Sequence, residues 1–289
     1  MSLPEHKTYR MAAVCGFCRG VKQALRQFQA LCEASDEPVY VLHELVHNCA
    51  VTEKMRAQGA VFVERLSEVP PGARLLIGAH GVSEEVERQA RSEFRVEDAT
   101  CPRVKSLQRA AASLRPDQAL IMLCKKGHPE AVGVIGHAGT RQVYPISGPD
   151  EVSALPELSA PVLLVQTTMS GELTLQVEKA LQKRFSQVIF HGNICNASEQ
   201  RQQAVSQLAR QSDLVLVVGS QHSSNAAELV SAAAVWTTAY LIENAAALAT
   251  QDLAGFRKIG VSAGASTPDE LIDAVRRYLE EQGYREELG

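Results

Sequence analysis

Short apolar runs alternate along this chain with segments whose apolar residues recur every three or four positions. The runs VYVL, LLIG, ALIML, VLLV and LVLVV have the length of strands, and the periodic segments after them read as amphipathic helices. Strands alternating with helices predict an α/β chain, with parallel sheets made of right-handed βαβ units. In such sheets ligands gather at the carboxyl ends of strands, where helix N-termini also point.

The pattern recurs three times. Each third opens on an apolar run, a turn containing cysteine and a helix: MAAVCGFCRGVKQALRQF, VEDATCPRVKSLQRAAASL and VIFHGNICNASEQRQQAVSQLA. A strand follows, then a histidine in a polar turn: VYVLHELVHN, ALIMLCKKGHPE and LVLVVGSQHSSN. His47 lies 29 residues after Cys18; His128 and His222 each lie 27 after Cys101 and Cys195. A further strand, turn and helix complete each third: LLIGAHGVSEEVERQA, VLLVQTTMSGELTLQVEKAL and KIGVSAGASTPDELIDAVRRYL, with His80, Thr167 and Ser266 in the turns. All nine turns are strand-to-helix turns. This divides the chain into α/β domains at 1–100, 101–193 and 194–289. Thirds that face a common axis would place three cysteines and many hydroxyls and imidazoles around one cavity.

Composition narrows the field without choosing a chemistry. The chain has 289 residues, 45% hydrophobic and 21% charged, as in an ordinary globular protein. A formal net charge of −4 gives no general attraction to nucleic acid or an anionic membrane. The N-terminal MSLPEHKTYR lacks the apolar core of a secretory signal, and no apolar run is long enough to span a bilayer. The expectation is a cytoplasmic protein with neither a nucleic-acid nor a membrane partner. Seven cysteines in a reducing cytosol do not form a disulfide framework, and most are expected to be small buried hydrophobes.

Two local motifs invite other readings. His43-Glu44-Leu45-Val46-His47 spells the zinc-protease H-E-x-x-H, which needs both histidines on one face of a helix and a third ligand. The preceding VYVL is strand-like, the repeat puts His47 in a turn, and the other thirds carry no such motif, so His43 reads as structural. Cys15-Gly16-Phe17-Cys18 is C-x-x-C at a strand-to-helix turn, as in thioredoxin-like redox sites. Only Cys18 has counterparts in the other thirds, so Cys15 reads as a bystander or auxiliary thiol.

One cysteine per third gives Cys18, Cys101 and Cys195, each where a helix N-terminus favours thiolate. Thiolates bind iron–sulfur clusters and zinc alike, usually four at a time. Three would leave one iron of a cubane open to substrate, which leans towards catalysis on the metal; Cys15, Cys49 or a histidine remains available for a fourth bond. His47, His80 and His128, with Ser223, Ser224, Asn225 and Ser266, supply donors suited to enclosing a diphosphate. Taken singly, such Ser and Asn residues are commonly helix caps. Glu130, beside His128 in GHPE, is placed to act as a proton donor if buried.

The ordered set GFC, HELVHN, AHGVS, DATCP, GHPE, QTT, Cys195, SSN and SAGAST resembles the IspH/LytB family over about residues 11–280. That family comprises 4-hydroxy-3-methylbut-2-enyl diphosphate reductases, the last enzymes of the methylerythritol phosphate route to isoprenoids. The resemblance implies a trefoil of three pseudo-three-fold related α/β domains around one [4Fe–4S] cluster per chain, ligated by Cys18, Cys101 and Cys195. It implies a two-electron, two-proton dehydroxylation of the allylic diphosphate, yielding isopentenyl and dimethylallyl diphosphates and water. Glu130, assisted by Thr167 and His128, would deliver the proton, and His47, His80, His128, Thr167, Ser223, Ser224, Asn225 and Ser266 would bind substrate. Reduced ferredoxin or flavodoxin would supply electrons, since no G-x-G-x-x-G follows a strand.

The chain departs from the family pattern at several positions. Ala13-Val14-Cys15 replaces the usual Asn-Pro-Arg, and Cys49 stands where arginine is frequent. Asn196-Ala197-Ser198-Glu199-Gln200-Arg201-Gln202 replaces Tyr-Ala-Thr-Thr-Asn-Arg-Gln, and Gln221-His222 replaces a lysine. These departures suggest a divergent member. The competing readings are a paralogue acting on another allylic diphosphate, and a non-enzymatic redox sensor switching through Cys15 and Cys49.

Overall fold

The computed structural model describes residues 7–139, 141–191 and 194–287; the expected domain limits at 1, 193 and 289 lie outside them. The elements in chain order begin with β1 (Thr8–Met11), α1 (Arg19–Ala34), β2 (Val39–Leu42), α2 (Cys49–Ala57), β3 (Ala60–Val63), β4 (Arg74–Ile77) and α3 (Glu84–Glu93). There follow β5 (Arg95–Asp98), α4 (Pro102–Ala112), β6 (Ala119–Leu123), α5 (Pro129–Ile135), β7 (Val143–Ile146), β8 (Pro161–Val165) and α6 (Gly171–Arg184). Last come β9 (Ile189–Phe190), α7 (Asn196–Ala209), β10 (Leu214–Val218), α8 (Ser224–Ala234), β11 (Thr238–Ile242), β12 (Lys258–Ala263), α9 (Asp269–Glu281) and β13 (Arg285–Glu286).

The strands form three parallel sheets, ordered β3-β2-β4-β5, β7-β6-β8-β9 and β11-β10-β12-β1-β13. The expected α/β class of parallel sheets is therefore what the chain adopts. Within the third sheet β1 takes the place that β5 and β9 take in the other two, although it comes first in the chain. By packing, the chain forms two compact units. One comprises residues 1–18, 47–49 and 196–289 and holds the third sheet; the other comprises 19–46 and 50–195 and holds the first two.

Burial explains the strand sequences. RLLI of β4, ALIML of β6, PVLLV of β8 and LVLVV of β10 are buried at every position, as befits central strands covered on both faces. The helices bury single stripes: Val21, Ala24 and Phe28 in α1, and Ile272, Val275 and Leu279 in α9. Their starts are specified locally. Ser83 and Ser170 cap α3 and α6 by accepting from the N–H groups of Val86 and Leu173, each at 3.3 Å. Pro102 and Pro129 occupy the first position of α4 and α5, where proline's missing N–H costs nothing.

Each of the nine repeat turns lies between a strand and a helix. Cys18, His47, His80, Cys101, His128, Thr167, Cys195, His222 and Ser266 precede α1 through α9 in that order. Residues 43–48 are not helical, so the H-E-x-x-H histidines do not share a helix face; His43 has φ +59° and its Nδ1 is 3.1 Å from Glu64 Oε2. Among the described residues no helix is long and apolar enough to cross a membrane.

Candidate active site

In the unit that holds the first two sheets, polar side chains gather at the carboxyl ends of β4, β6 and β8. Glu130, in the first turn of α5, is 2% exposed. Its Oε1 accepts from the Thr167 N–H at 2.7 Å and its Oε2 from Thr167 Oγ1 at 2.8 Å. Burial pushes the Glu130 carboxyl above its ordinary range, while the two Thr167 hydrogen bonds pull it back down. His128 caps the same helix, its Nδ1 accepting from the Glu130 N–H at 3.2 Å. That bond puts the proton of the neutral imidazole on Nε2. The His80 ring stands edge-on to His128, with centroids 5.3 Å apart.

Glycine permits this approach of the two sheets' turns. A Cβ on Gly133 of α5 would lie 3.3 Å from the Val82 carbonyl, and one on Gly136 would lie 2.3 Å from the Ser83 Cβ. Two buried glutamines hold the turns from beneath. Gln166, at the end of β8, accepts from the Lys125 N–H at 3.0 Å and donates to Thr168 Oγ1 at 2.9 Å. Gln108 of α4 donates to the Val82 carbonyl at 3.2 Å. The signal for Gln166 in the sequence is a polar residue closing an otherwise apolar strand; Gln108 carries no such signal.

In the other unit, a second set gathers at the ends of β10 and β12. Ser266 Oγ donates to the His47 carbonyl at 3.2 Å, and Asn225 Oδ1 accepts from the Ala265 N–H at 2.8 Å. Among the described residues, Asn225 Nδ2 and Ser224 Oγ are buried with no hydrogen-bond partner. Ser223 caps α8, its Oγ accepting from Ala226 at 3.3 Å, so its cap reading is realised alongside any binding role.

The cysteine turns repeat a backbone hydrogen bond. The N–H groups of Cys18, Cys101 and Cys195 donate to the carbonyls of Ala265, Ala79 and Thr167, each two residues beyond the end of its strand (β12, β4 and β8). None of the seven cysteines forms a disulfide; Cys18, Cys101 and Cys195 are half-buried. Cys101 is the N-cap residue of α4, yet its side chain does not cap it. Burial pushes the Cys15 thiol up, with the Arg201 charge opposing, and pushes Cys124 up to about 11. A raised thiol is a poor redox switch, whereas Cys49 is exposed.

The LytB protein family model matches residues 10–280. The 4-hydroxy-3-methylbut-2-enyl diphosphate reductase of Neisseria meningitidis serogroup C is 40% identical over 286 residues, covering 96% of this chain and 88% of that protein. The enzyme of the same name from an Enterobacter species is 40% identical over 278 residues, covering 93% and 88%. Among solved structures, the E-1-hydroxy-2-methyl-but-2-enyl-4-diphosphate reductase from Plasmodium falciparum superposes with a TM-score of 0.89 at 27% identity, over 98% of this chain and 93% of that one. A second, an (E)-4-hydroxy-3-methyl-but-2-enyl diphosphate reductase described as the terminal enzyme of the non-mevalonate pathway, gives 0.69 at 28% identity, over 95% and 99%. With its ordered motifs, its repeated sheets and a family match over nearly its whole length, the chain belongs to the LytB family.

Proposed function

We propose that this chain reduces 4-hydroxy-3-methylbut-2-enyl diphosphate to isopentenyl and dimethylallyl diphosphates and water, the last step of the methylerythritol phosphate route. The observation that carries this reading is the buried Glu130 carboxyl gripped by both donors of Thr167, in a chain of the LytB family.

The donor chemistry fits an iron–sulfur cluster. Cys18, Cys101 and Cys195 are half-buried thiols outside any disulfide, each preceding a helix N-terminus. When bound, a [4Fe–4S] cluster on these three would supply single electrons and an iron Lewis acid for the substrate hydroxyl. Reduced ferredoxin or flavodoxin would deliver those electrons, and the cytoplasm is where such donors operate. The three-way division at 1–100, 101–193 and 194–289 would give each domain one ligand, with β1 completing the third sheet.

The protein's own groups manage the proton and the phosphates. Burial keeps Glu130 protonated to higher pH than an exposed carboxyl. A protonated Oε2 donates to Thr167 Oγ1, whose own hydrogen then turns to the departing substrate oxygen, so one proton passes along the pair and water leaves. The Nε2–H of His128 and the imidazole of His80 offer donors to anionic oxygens, as do His47, Ser223 and Ser266. Ser224 Oγ and Asn225 Nδ2, buried and unmatched, are the donors best suited to phosphate oxygens.

The test is anaerobic turnover of 4-hydroxy-3-methylbut-2-enyl diphosphate by cluster-loaded protein with a reduced viologen as donor. Glu130→Gln should keep the cluster and lose at least about a hundredfold in turnover. Absence of turnover from fully loaded wild type would remove the reading.

A further inference from the structure

Arg201 of α7 is 4% exposed, a charged residue set among the buried positions Ser198, Val205 and Leu208 of its helix. Its Nη2 donates to the Gly16 carbonyl at 2.7 Å, and its Nη1 donates to the Ala197 carbonyl at 2.8 Å. The first carbonyl lies two residues before Cys18 and the second two residues after Cys195. Nε is buried with no partner, and no carboxylate pairs with the guanidinium among the described residues. Asp269, whose Oδ1 would lie 3.2 Å from a Cβ on Gly16, acts on the same turn without pairing with the guanidinium. Burying a cation with no directly paired carboxylate is costly, so a further anion bound beside this turn would be favoured.

We propose that Arg201 is a positioning residue and counter-charge for the group that Cys18 would help to hold, an inference that rests on the cluster reading above. Its rigid fork fixes the Cys18 turn against the first turn of α7, a geometry that lysine's single ammonium cannot reproduce. The Cys18 turn has most need of such a tie. Cys18 stands seven residues beyond the end of β1, whereas Cys101 stands three beyond β5 and Cys195 five beyond β9. The charge acts separately from the fork. A cluster ligated by thiolates is anionic and becomes more so on reduction, so a nearby buried cation makes reduction easier.

The experiment compares wild type, Arg201→Gln and Arg201→Lys after anaerobic reconstitution with iron and sulfide. It reads far-UV circular dichroism, iron content, the rate at which a chelator bleaches the cluster, and the midpoint potential. Arg201→Gln should fold, lose its cluster at least roughly tenfold faster, and have a more negative potential. Arg201→Lys should return the potential towards wild type while still losing the cluster fast, which a merely structural role would not produce. Bleaching rate and potential both unchanged in Arg201→Gln would overturn the inference. Should Arg201→Gln fail to fold, Arg201→Lys decides: faster bleaching supports the fork, and a wild-type rate overturns it. A wild-type chain that takes up no cluster would overturn the cluster reading itself, before any variant is compared.

Discussion

The carboxyl of Glu130 is 2% exposed, with both oxygens bonded to Thr167, and its pKa is nevertheless raised because burial outweighs those bonds. A carboxyl raised on folding contributes stability that is complete below its unfolded value and is lost as pH rises through its folded value. Glu130→Gln cannot ionise, so its urea midpoint relative to wild type should improve as pH rises above the ordinary carboxyl value. A constant difference would show that the folded carboxyl is not raised. Thr167 offers a second, independent handle. Thr167→Val keeps the backbone donor to Oε1 but removes the hydroxyl at Oε2, so the pKa should climb and the alkaline limb of turnover move to higher pH. The maximal rate should fall with it, because valine cannot relay a proton, and Thr167→Ser should recover both. At this scale the sequence exposed Glu130, His128 and Thr167, which are polar residues placed where apolar strands end. It did not reveal the partners of Gln166 and Arg201, because what a buried polar side chain does is set by groups 41 and 185 residues away.

Strands and helices were the most legible level, since buried parallel strands must be apolar throughout and each helix must bury one stripe. The turns between them were legible by repetition but not in their packing. Gly81, beside His80, has φ +68°, and a Cβ there would lie 2.5 Å from Gln108 Nε2 and 2.9 Å from Thr100 Cγ2. Gly59 has φ +96° with nothing within 4 Å of its absent Cβ. The pair therefore separates backbone strain from crowding. Gly59→Ala should cost about 1–2 kcal/mol, the backbone contribution alone. Gly81→Ala should cost a further 1–3 kcal/mol or so, because the Gln108 amide and Thr100 must move. Urea unfolding at unchanged m-value measures both; equal losses would mean that the His80 turn has slack.

Across the whole molecule, the feature least visible in sequence order is that the first strand belongs to the last sheet. A linear reading assigns each strand to the third in which it occurs, whereas β1 inserts between β12 and β13, pairing Thr8 with Lys258 and Met11 with Val261. The repeat contained the hint, since β5 and β9 each end a sheet just before a cysteine turn, leaving the strand before Cys18 without an earlier sheet to end. This placement has a kinetic consequence. Pairing β1 with β12 closes a loop of about 250 residues, whereas β10 and β11 pair Leu214 with Thr238 across about 24. Loop-closure entropy makes the longer closure more costly by about 2 kcal/mol, before stiffness or competing contacts are counted. Within this one sheet, β10, β11 and β12 can therefore assemble first, and β1 must dock onto them afterwards. Two amides report the order: Gly219 N–H donates to the Ile242 carbonyl at 2.8 Å, and Ala12 N–H donates to the Val261 carbonyl at 2.8 Å. In pulse-labelled hydrogen exchange during refolding under reducing, anaerobic conditions, Gly219 should be protected before Ala12. Simultaneous protection would mean that the sheet forms only as a whole, with β1 part of its nucleus. A Cys18 turn that is set late, after β1 has docked, would then be ruled out as a step in folding.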